Sequence, residues 1–368
     1  MSVSTAKEYQ SKKQQTRLLG LGLTPGGLFL ILVTPASSAF VDYLADGRQF
    51  SQYAVLAGYF LVLSILRTLW ELPLAAYSGF WLEQRYGLTR YRFTGWLRDF
   101  LKQAVLAFTF FLILLEGLYG LIWHFPNRWW LGAWAGFAVV SYGVGKLMPV
   151  VIVPLFYKYG EVADAVLKER IRSLVSRFGF KIQNVYALNL SRTTRKANAA
   201  LMGIGKTKRV VLSDTLLANF NHDEIMAVVA HELGHHRHQD IWRHMAFGLV
   251  TSFVTFWIAA QVLDPAARAF GYGGQGDVAA MPVLFLIFYG ISLIWTPAQN
   301  GFSRWLERQA DQFALAAGPG RAAFAACMRK LAEVNMSDLY PNSFYEWFFY
   351  DHPAIGKRIR MAEEGIPV

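Results

Sequence analysis

The residues whose types and spacing most readily do chemistry are His231-Glu232-Leu233-Gly234-His235. Side chains four apart on a helix share a face, with Cβ atoms roughly 5–6 Å apart. Two imidazoles can therefore converge on one tetrahedral zinc while the glutamate between them points at a water on the metal. Zinc lowers the pKa of such a water toward about 7, and the glutamate takes its proton during attack on a peptide carbonyl. Only three positions of this pattern are fixed, and His236, His238 and His244 follow it. The plain alternative is a surface helix end that is rich in histidine.

A hydrolytic zinc site needs a third protein ligand and one open position. One solution places a histidine six residues after the second, but Ile241 stands there. His238 lies a further turn along the same helix and cannot bend back to the same ion, so it reads as solvated or as supporting the ligands. Another solution takes a glutamate from a later helix, and Glu307-Arg308-Gln309-Ala310-Asp311 offers one. Glu307 can ligate the metal. Asp311, one turn on, can accept the free ring N–H of a ligand histidine and fix its tautomer. Against this, Glu307 can also be a helix-surface carboxylate beside Arg304 and Arg308.

The elements that must position these residues are largely membrane helices. The 368 residues are 54% hydrophobic and 17% charged, with a mean hydropathy of +0.27. Soluble domains carry about 25% charged residues. The apolar surplus lies in six runs near the roughly 20 residues a crossing helix needs. They run at about Leu18–Phe40, Tyr53–Leu74, Ala104–Trp123, Trp129–Phe156, Met245–Leu263 and Val278–Trp295. The first is the weakest, being interrupted by Pro25, Gly26, Gly27 and Pro35, and it lacks the cleavage site of a signal peptide.

A net charge of +11 could suggest nucleic acid, but its placement argues otherwise. Lys7, Lys12, Lys13 and Arg17 crowd the N-terminus, and Arg85, Arg90, Arg92, Arg98 and Lys102 crowd the second loop. The first, third and fifth loops hold one basic residue each, Arg48, Arg128 and Arg268. Such alternation follows the positive-inside rule and places both termini and the polar stretch 157–241 in the cytoplasm. The basic residues then set topology and meet anionic headgroups, with no nucleic-acid partner. The single cysteine, Cys327, excludes an internal disulfide and a multi-cysteine zinc site.

The expected organisation is membrane helices one to four over 1–156, a first protease half over 157–241, a transmembrane hairpin over 242–300 and a second protease half over 301–368. In the first half, Leu167, Ile171, Leu174 and Phe178 recur at helical spacing and Gly179 stops the helix. Strands are expected at Val185–Leu190, Asn198–Gly203 and Arg209–Ser213, the last two joined by a turn over Gly205–Lys208. Asn221, with Asp223 and Glu224, opens the histidine-bearing helix. Helices are expected at Ser303–Ala317 and Ala322–Val334, parted at Gly318–Gly320. The two crossings of the hairpin return the chain to its starting side, so both polar blocks can share one site.

Ser303-Arg304-x-x-Glu307-x-x-Ala310-Asp311, the His231–His235 pattern and Asn198-Ala199 together resemble the type I CAAX prenyl endopeptidases, integral-membrane zinc proteases. Pro154-Leu155-Phe156, Val211-Leu212-x-Asp214-Thr215-Leu216-Leu217 and His352-Pro353-x-x-x-x-Arg358 extend the likeness over most of the chain. The resemblance implies a mainly α, polytopic fold of six to seven spans around a chamber, with a zinc protease domain containing a small β-sheet. It implies one Zn2+ per chain, held by His231, His235 and Glu307. It also implies that Asn198 and Ala199 lie on an edge strand that binds substrate backbone by strand addition. His352 would donate to the developing oxyanion, and Arg358 would hold the site carboxylates. Arg67, Glu71, Glu116 and Lys146, in or near spans, are candidates to line the chamber, with snorkelling as the alternative for Arg67 and Lys146. Six spans rather than seven suggest a compact bacterial member, expected in the inner membrane, or in the endoplasmic reticulum membrane if the source is eukaryotic. Asp351 stands where a small residue is more usual.

The expected activity is zinc-dependent endoproteolysis of peptides or proteins presented near the bilayer on its cytosolic side. The substrate would be a prenylated CAAX protein where one exists, and a membrane protein otherwise. An intramembrane site-two-type protease and a non-catalytic metal-binding membrane protein are the competing readings. The first would bury the motif inside a span, whereas Asn221, Asp223, Arg237 and Asp240 bracket it with polar residues.

Overall fold

A computed structural model of the chain describes residues 3–46, 50–182, 184–202 and 208–365. Arg48 and most of the expected 205–208 turn fall outside them. Five helices are long and apolar enough to cross a membrane: α3 (Gln52–Arg85), α4 (Phe93–His124), α5 (Trp129–Phe156), α9 (Asp240–Ala269) and α10 (Val278–Ala317). The weak first span is a bent pair, α1 (Val3–Leu32) and α2 (Ala36–Ala45), meeting at 66°. Pro25, Gly26 and Gly27 sit inside the continuous α1, and the break falls before Pro35. Ten residues of α2 are too few to cross by themselves.

The outward faces of these helices are exposed and apolar, with Ile113, Val139, Val250 and Ile294 among the most open, as lipid contact requires. Their inner faces meet in a core containing Leu56, Tyr59, Tyr119, Trp129, Leu263 and Met281. Polar handles find partners there. Ser37 bonds both Tyr59 Oη and the Ala279 carbonyl at 2.5 Å, because an unpaired buried hydroxyl would cost free energy.

The second core belongs to the protease part. Its sheet has four strands in the order β1 (Tyr159–Glu161), β2 (Val185–Leu188), β4 (Arg209–Ser213), β3 (Ala199–Met202). β2 and β4 run parallel, and the other two pairings are antiparallel. This leaves β3 at an edge, paired with β4 on one side only. The expected strand at 185–190 ends at Leu188, where the chain turns through Leu190–Arg192.

α6 (Ala165–Arg177) is capped by the Asp164 side chain, and Gly179 follows it in the left-handed region at φ +75°. It packs Leu167, Ile171 and Leu174 into the core. α7 (Asp214–Asn219) follows β4. α8 (His222–Arg237) opens on a full capping box, Asn221 Oδ1 accepting from Glu224 N while Glu224 accepts from Asn221 N. Residues 224 to 231 of α8 are all buried, between the sheet, α10 and α11 (Arg321–Asn335). α12 (Ser343–Phe349) and α13 (Ile355–Glu364) complete the fold.

The segment Ser303–Ala317 is not a separate helix. It continues the last span without a break through Pro297, giving one helix of 40 residues. A rigid rod thus carries Glu307 and Asp311 out of the hydrophobic span and against α8.

Candidate metal centre

α8 and α10 cross at Gly234. A Cβ there would lie 2.9 Å from the Ala310 Cα and 3.0 Å from its carbonyl oxygen. Glycine therefore lets the backbones approach closely enough for Glu307, one turn before Ala310, to reach the histidines. Nε2 of His231 and Nε2 of His235 face each other at 3.1 Å. Glu307 Oε1 lies 3.1 Å from His235 Nε2, and Oε2 lies 3.3 Å from His231 Nε2. One donor atom from each of the three residues falls within 4.8 Å of the others.

Each ring is oriented from behind. His231 Nδ1 is 2.8 Å from Asp311 Oδ1, and Arg358 clamps that carboxylate with bonds of 2.6 and 2.8 Å. His235 Nδ1 is 2.8 Å from Asp240 Oδ2. Asp240 in turn is 3.3 Å from Arg243, which donates to Gln309 at 2.6 Å. Both Nδ1 atoms are thereby committed as donors, leaving both Nε2 lone pairs aimed at one point.

The electrostatics follow from this crowding. Burial alone would push His231 and His235 toward the neutral form, but the facing carboxylates outweigh it. Asp311 and Glu307 raise His231, and Asp240 with Glu307 lifts His235 to about 10. Burial likewise disfavours charge on His352, yet Asp351 and Glu307 bring it up to about 9. Glu307 Oε2 is buried and has no hydrogen bond. Two imidazole nitrogens and a carboxylate turned on one another can hold a cation between them, and an N2O donor set fits zinc.

Glu232 is half-buried on the same helix, and its Oε2 lies 3.3 Å from the N–H of Leu201. That N–H belongs to the unpaired side of β3, so the glutamate stands between the metal ligands and the sheet edge. Asn198 and Ala199 are at the root of β3. Asn198 is tied to Ser213 by N–H to Oγ at 3.0 Å, and its carbonyl accepts from Ser213 N at 2.9 Å. His352 lies across the site with Nε2 3.1 Å from Glu307 Oε1 and a half-exposed ring. Asp351 holds its Nδ1 at 2.8 Å, which gives the unusual residue before the His-Pro pair a positioning contact. Arg304 brings that segment in by donating to the Glu346 and Tyr350 carbonyls at 2.9 and 2.5 Å.

Contacts thus link His231, His235, Glu307, Asp311, Arg358 and His352, while Glu232 reaches the strand that Asn198 and Ala199 open. His238 is half-buried, its ring meeting the edge of Phe313 with Nδ1 lacking a partner among the described residues. His236 packs on Phe180 and His244 on Phe302. Asp240 is the functional contact that sequence reasoning missed. α8 ends at Arg237 with His238 as its C-cap, Gln239 takes a left-handed conformation at φ 58°, and α9 begins at once. That reversal returns Asp240 to His235, which helical spacing cannot foresee.

Residues 161–366 match the family model described as peptidase family M48, and residues 3–158 match the one described as CAAX prenyl protease N-terminal, five membrane helices. The chain belongs to peptidase family M48. It is accordingly a multi-pass membrane zinc metallopeptidase acting on a peptide or protein. Within 3–158 the described residues supply three helices long and apolar enough to cross, α3 to α5, and the bent pair α1 and α2. The chain is 28% identical to the uncharacterized metalloprotease YhfN of Bacillus subtilis over 366 residues, 98% of this chain and 85% of the relative. It is 29% identical to CAAX prenyl protease 1 of Saccharomyces cerevisiae, over 81% of this chain and 70% of the relative. The crystal structure of S. mikatae Ste24p shares its fold, with a TM-score of 0.83 at 24% identity over 97% of this chain and 87% of that one.

Proposed function

We propose that this chain is an endopeptidase of the CAAX prenyl protease type, holding one Zn2+ on His231, His235 and Glu307. It would cleave near the C-terminus of prenylated CAAX proteins or, where none exist, of membrane-associated proteins, on the cytosolic side of a bacterial inner membrane. The observation that carries this reading is the contact of Glu232, which lies between the two converging histidines in sequence, with the outward N–H of Leu201. A substrate chain added alongside β3 lies against the glutamate and the metal position together.

When bound, zinc supplies Lewis-acid polarisation of the carbonyl and lowers the pKa of water. The chain's own residues do the rest. Glu232 takes a proton from the attacking water and returns it to the leaving amine. His352, its Nδ1 held by Asp351, would donate from Nε2 to the oxygen that gains charge. Asn198 and Ala199 hold substrate backbone. Asp311, Arg358 and Asp240 keep the two imidazoles turned inward. Asp351 and His352 follow an aromatic helix bearing exposed Phe344 and Trp347, and tryptophan favours the headgroup level.

Arg67 and Glu71 support a polar lining within the spans. They pair at 3.0 Å, and Thr24 donates to Glu71 at 2.5 Å. Glu116 is half-buried, whereas Lys146 is exposed over the Tyr142 ring at 4.6 Å, as a snorkelling residue is. The site-two-type alternative is not favoured, because α8 has only 16 residues and is not one of the helices fit to cross a membrane.

The test is purification of the wild type and Glu232→Gln in detergent. Bound zinc is measured, together with cleavage of a farnesylated CAAX peptide and of its unprenylated counterpart. Zinc in both proteins with cleavage by the wild type alone is the expected outcome. Equal activity of both proteins would overturn the role of Glu232, and zinc loading unchanged in Glu307→Ala would overturn the ligand set.

A further inference from the structure

A second buried ionic cluster lies away from the metal. Tyr9 of α1 is fully buried, and its hydroxyl donates to Glu83 Oε1 at 2.5 Å. Lys13, one turn on, meets the same oxygen at 2.7 Å. Lys196 completes the set, with Nζ 2.8 Å from Glu83 Oε2, 2.9 Å from Tyr9 Oη and 5.4 Å from the Tyr9 ring centre. These side chains come from the N-terminal helix, the C-terminal end of α3 and the segment that feeds β3. None touches the metal centre. Removing one partner of a buried charge group is strongly unfavourable, and the best-attested use of such groups is to fix register.

The segment around Lys196 is held on every side. Leu88 O accepts from Arg195 N at 2.9 Å, and Thr193 O accepts from Arg90 N at 3.0 Å. The Lys196 carbonyl accepts from Thr215 Oγ1 at 2.7 Å, and Asn335 bonds both the N–H and the carbonyl of Ala197. From there the chain runs straight into Asn198, Ala199 and the Leu201 N–H that faces Glu232. At about 3.3 Å per residue, the five steps from Lys196 to Leu201 span roughly 16 Å. The edge strand is thus a short beam, staked at its root to the end of a membrane span.

We propose that Lys196 and Glu83 are positioning residues for proteolysis, locking the substrate-pairing strand in register with the metal centre. This rests on β3 being the strand along which substrate binds. It assigns part of the catalytic alignment to α1 and α3, so that a shift of these membrane helices displaces the strand rather than the metal ligands.

The test compares Lys196→Met, Lys196→Arg, Glu83→Gln and the Lys196→Met/Glu83→Gln double variant, as full chains in detergent. Zinc affinity by chelator competition, and kcat and KM on one unprenylated peptide, are measured for each. A misplacement of about 1 Å in a catalytic array can cost about 10²-fold. The Met and Gln variants are therefore expected to lose about that much in kcat/KM, with a raised KM and unchanged zinc affinity. The double variant should be little worse than either single, as for residues acting through one contact. Lys196→Arg should recover most of the loss. A partly unfolded protein would instead lose kcat at constant KM, which overturns the proposal, as does wild-type cleavage by Lys196→Met. Leu201→Pro, which removes the outward N–H, separates the two ideas. If it cleaves normally, the substrate-strand reading falls and this proposal with it. If it is inactive while Lys196→Met is not, this proposal alone falls.

Discussion

Replacing Gly234 by alanine tests whether the metal centre depends on the closeness of two helices. The added methyl carbon would stand 2.9 Å from the Ala310 Cα, 3.0 Å from the Ala310 oxygen and 3.2 Å from the Phe313 Cβ. Carbon atoms rest at about 3.5–4.0 Å, so α8 and α10 must separate by about 0.8 Å. Two of the contacted atoms are backbone, and no rotamer change relieves them. Overpacking of this kind costs about 1–3 kcal/mol, while alanine regains about 1 kcal/mol of helix propensity over glycine. The net change in stability is therefore small, on the order of 1 kcal/mol. The metal site feels the shift much more. His231 and His235 ride on α8 and Glu307 on α10, whereas metal–ligand distances tolerate about 0.2 Å. Zinc affinity should fall at least about tenfold, with cleavage falling alongside, while the melting midpoint without zinc moves by only a few degrees. Chelator competition and thermal unfolding with and without EDTA measure both. Zinc affinity within twofold of wild type would refute the reasoning.

Three further outcomes are expected. Arg358→Met leaves the buried Asp311 carboxylate without its cation, which should destabilise the fold by about 3–5 kcal/mol; denaturant unfolding checks this, and an unchanged midpoint would count against the clamp. In the metal-free protein His235 holds its proton up to about pH 10. A zinc ion must displace that proton, so apparent affinity should rise between pH 6 and 8, by about tenfold per unit for each proton released; a flat profile by chelator competition contradicts it. Cys327 is buried and its thiol is pushed up to about 12. Alkylation at pH 8 should label it only after denaturation, as mass spectrometry of native and unfolded samples can show.

Much of the site was legible because it rests on helical periodicity. His231, Glu232 and His235 share a helix whose capping box is written in Asn221 and Glu224. Glu307 and Asp311 stand one turn apart, and they do face the same ring, His231. The spans were legible for the same reason, since lipid forces long apolar runs. Harder to read was where a span stops. The expected division at residue 300 falls inside α10, because Asn300, Ser303 and Arg304 change the solvent of the helix without interrupting its hydrogen bonds. Pro25 and the following glycines misled in the opposite direction. The helix keeps them, and the break falls instead where Thr34 and Pro35 turn the chain.

What stayed hidden depends on contacts that no local period encodes. Asp240 is five residues from His235, a spacing that would place it on another face of an unbroken helix. It meets the ring only because Gln239 accepts a left-handed backbone, which for a non-glycine residue is uncommon and costs energy. That cost indicates what the turn achieves. It ends the metal-binding helix and starts a membrane span within one residue, so α9 leaves the site while its first side chain still holds the second histidine. Lys196 and Glu83 follow the same logic at greater range, 113 residues apart in sequence and 2.8 Å apart in space. In both places an acidic residue at the end of a span fixes a piece of the site. The membrane helices therefore act as the frame against which the ligands and the edge strand are aligned, and the Lys196–Glu83 contact joins the two halves of the sequence.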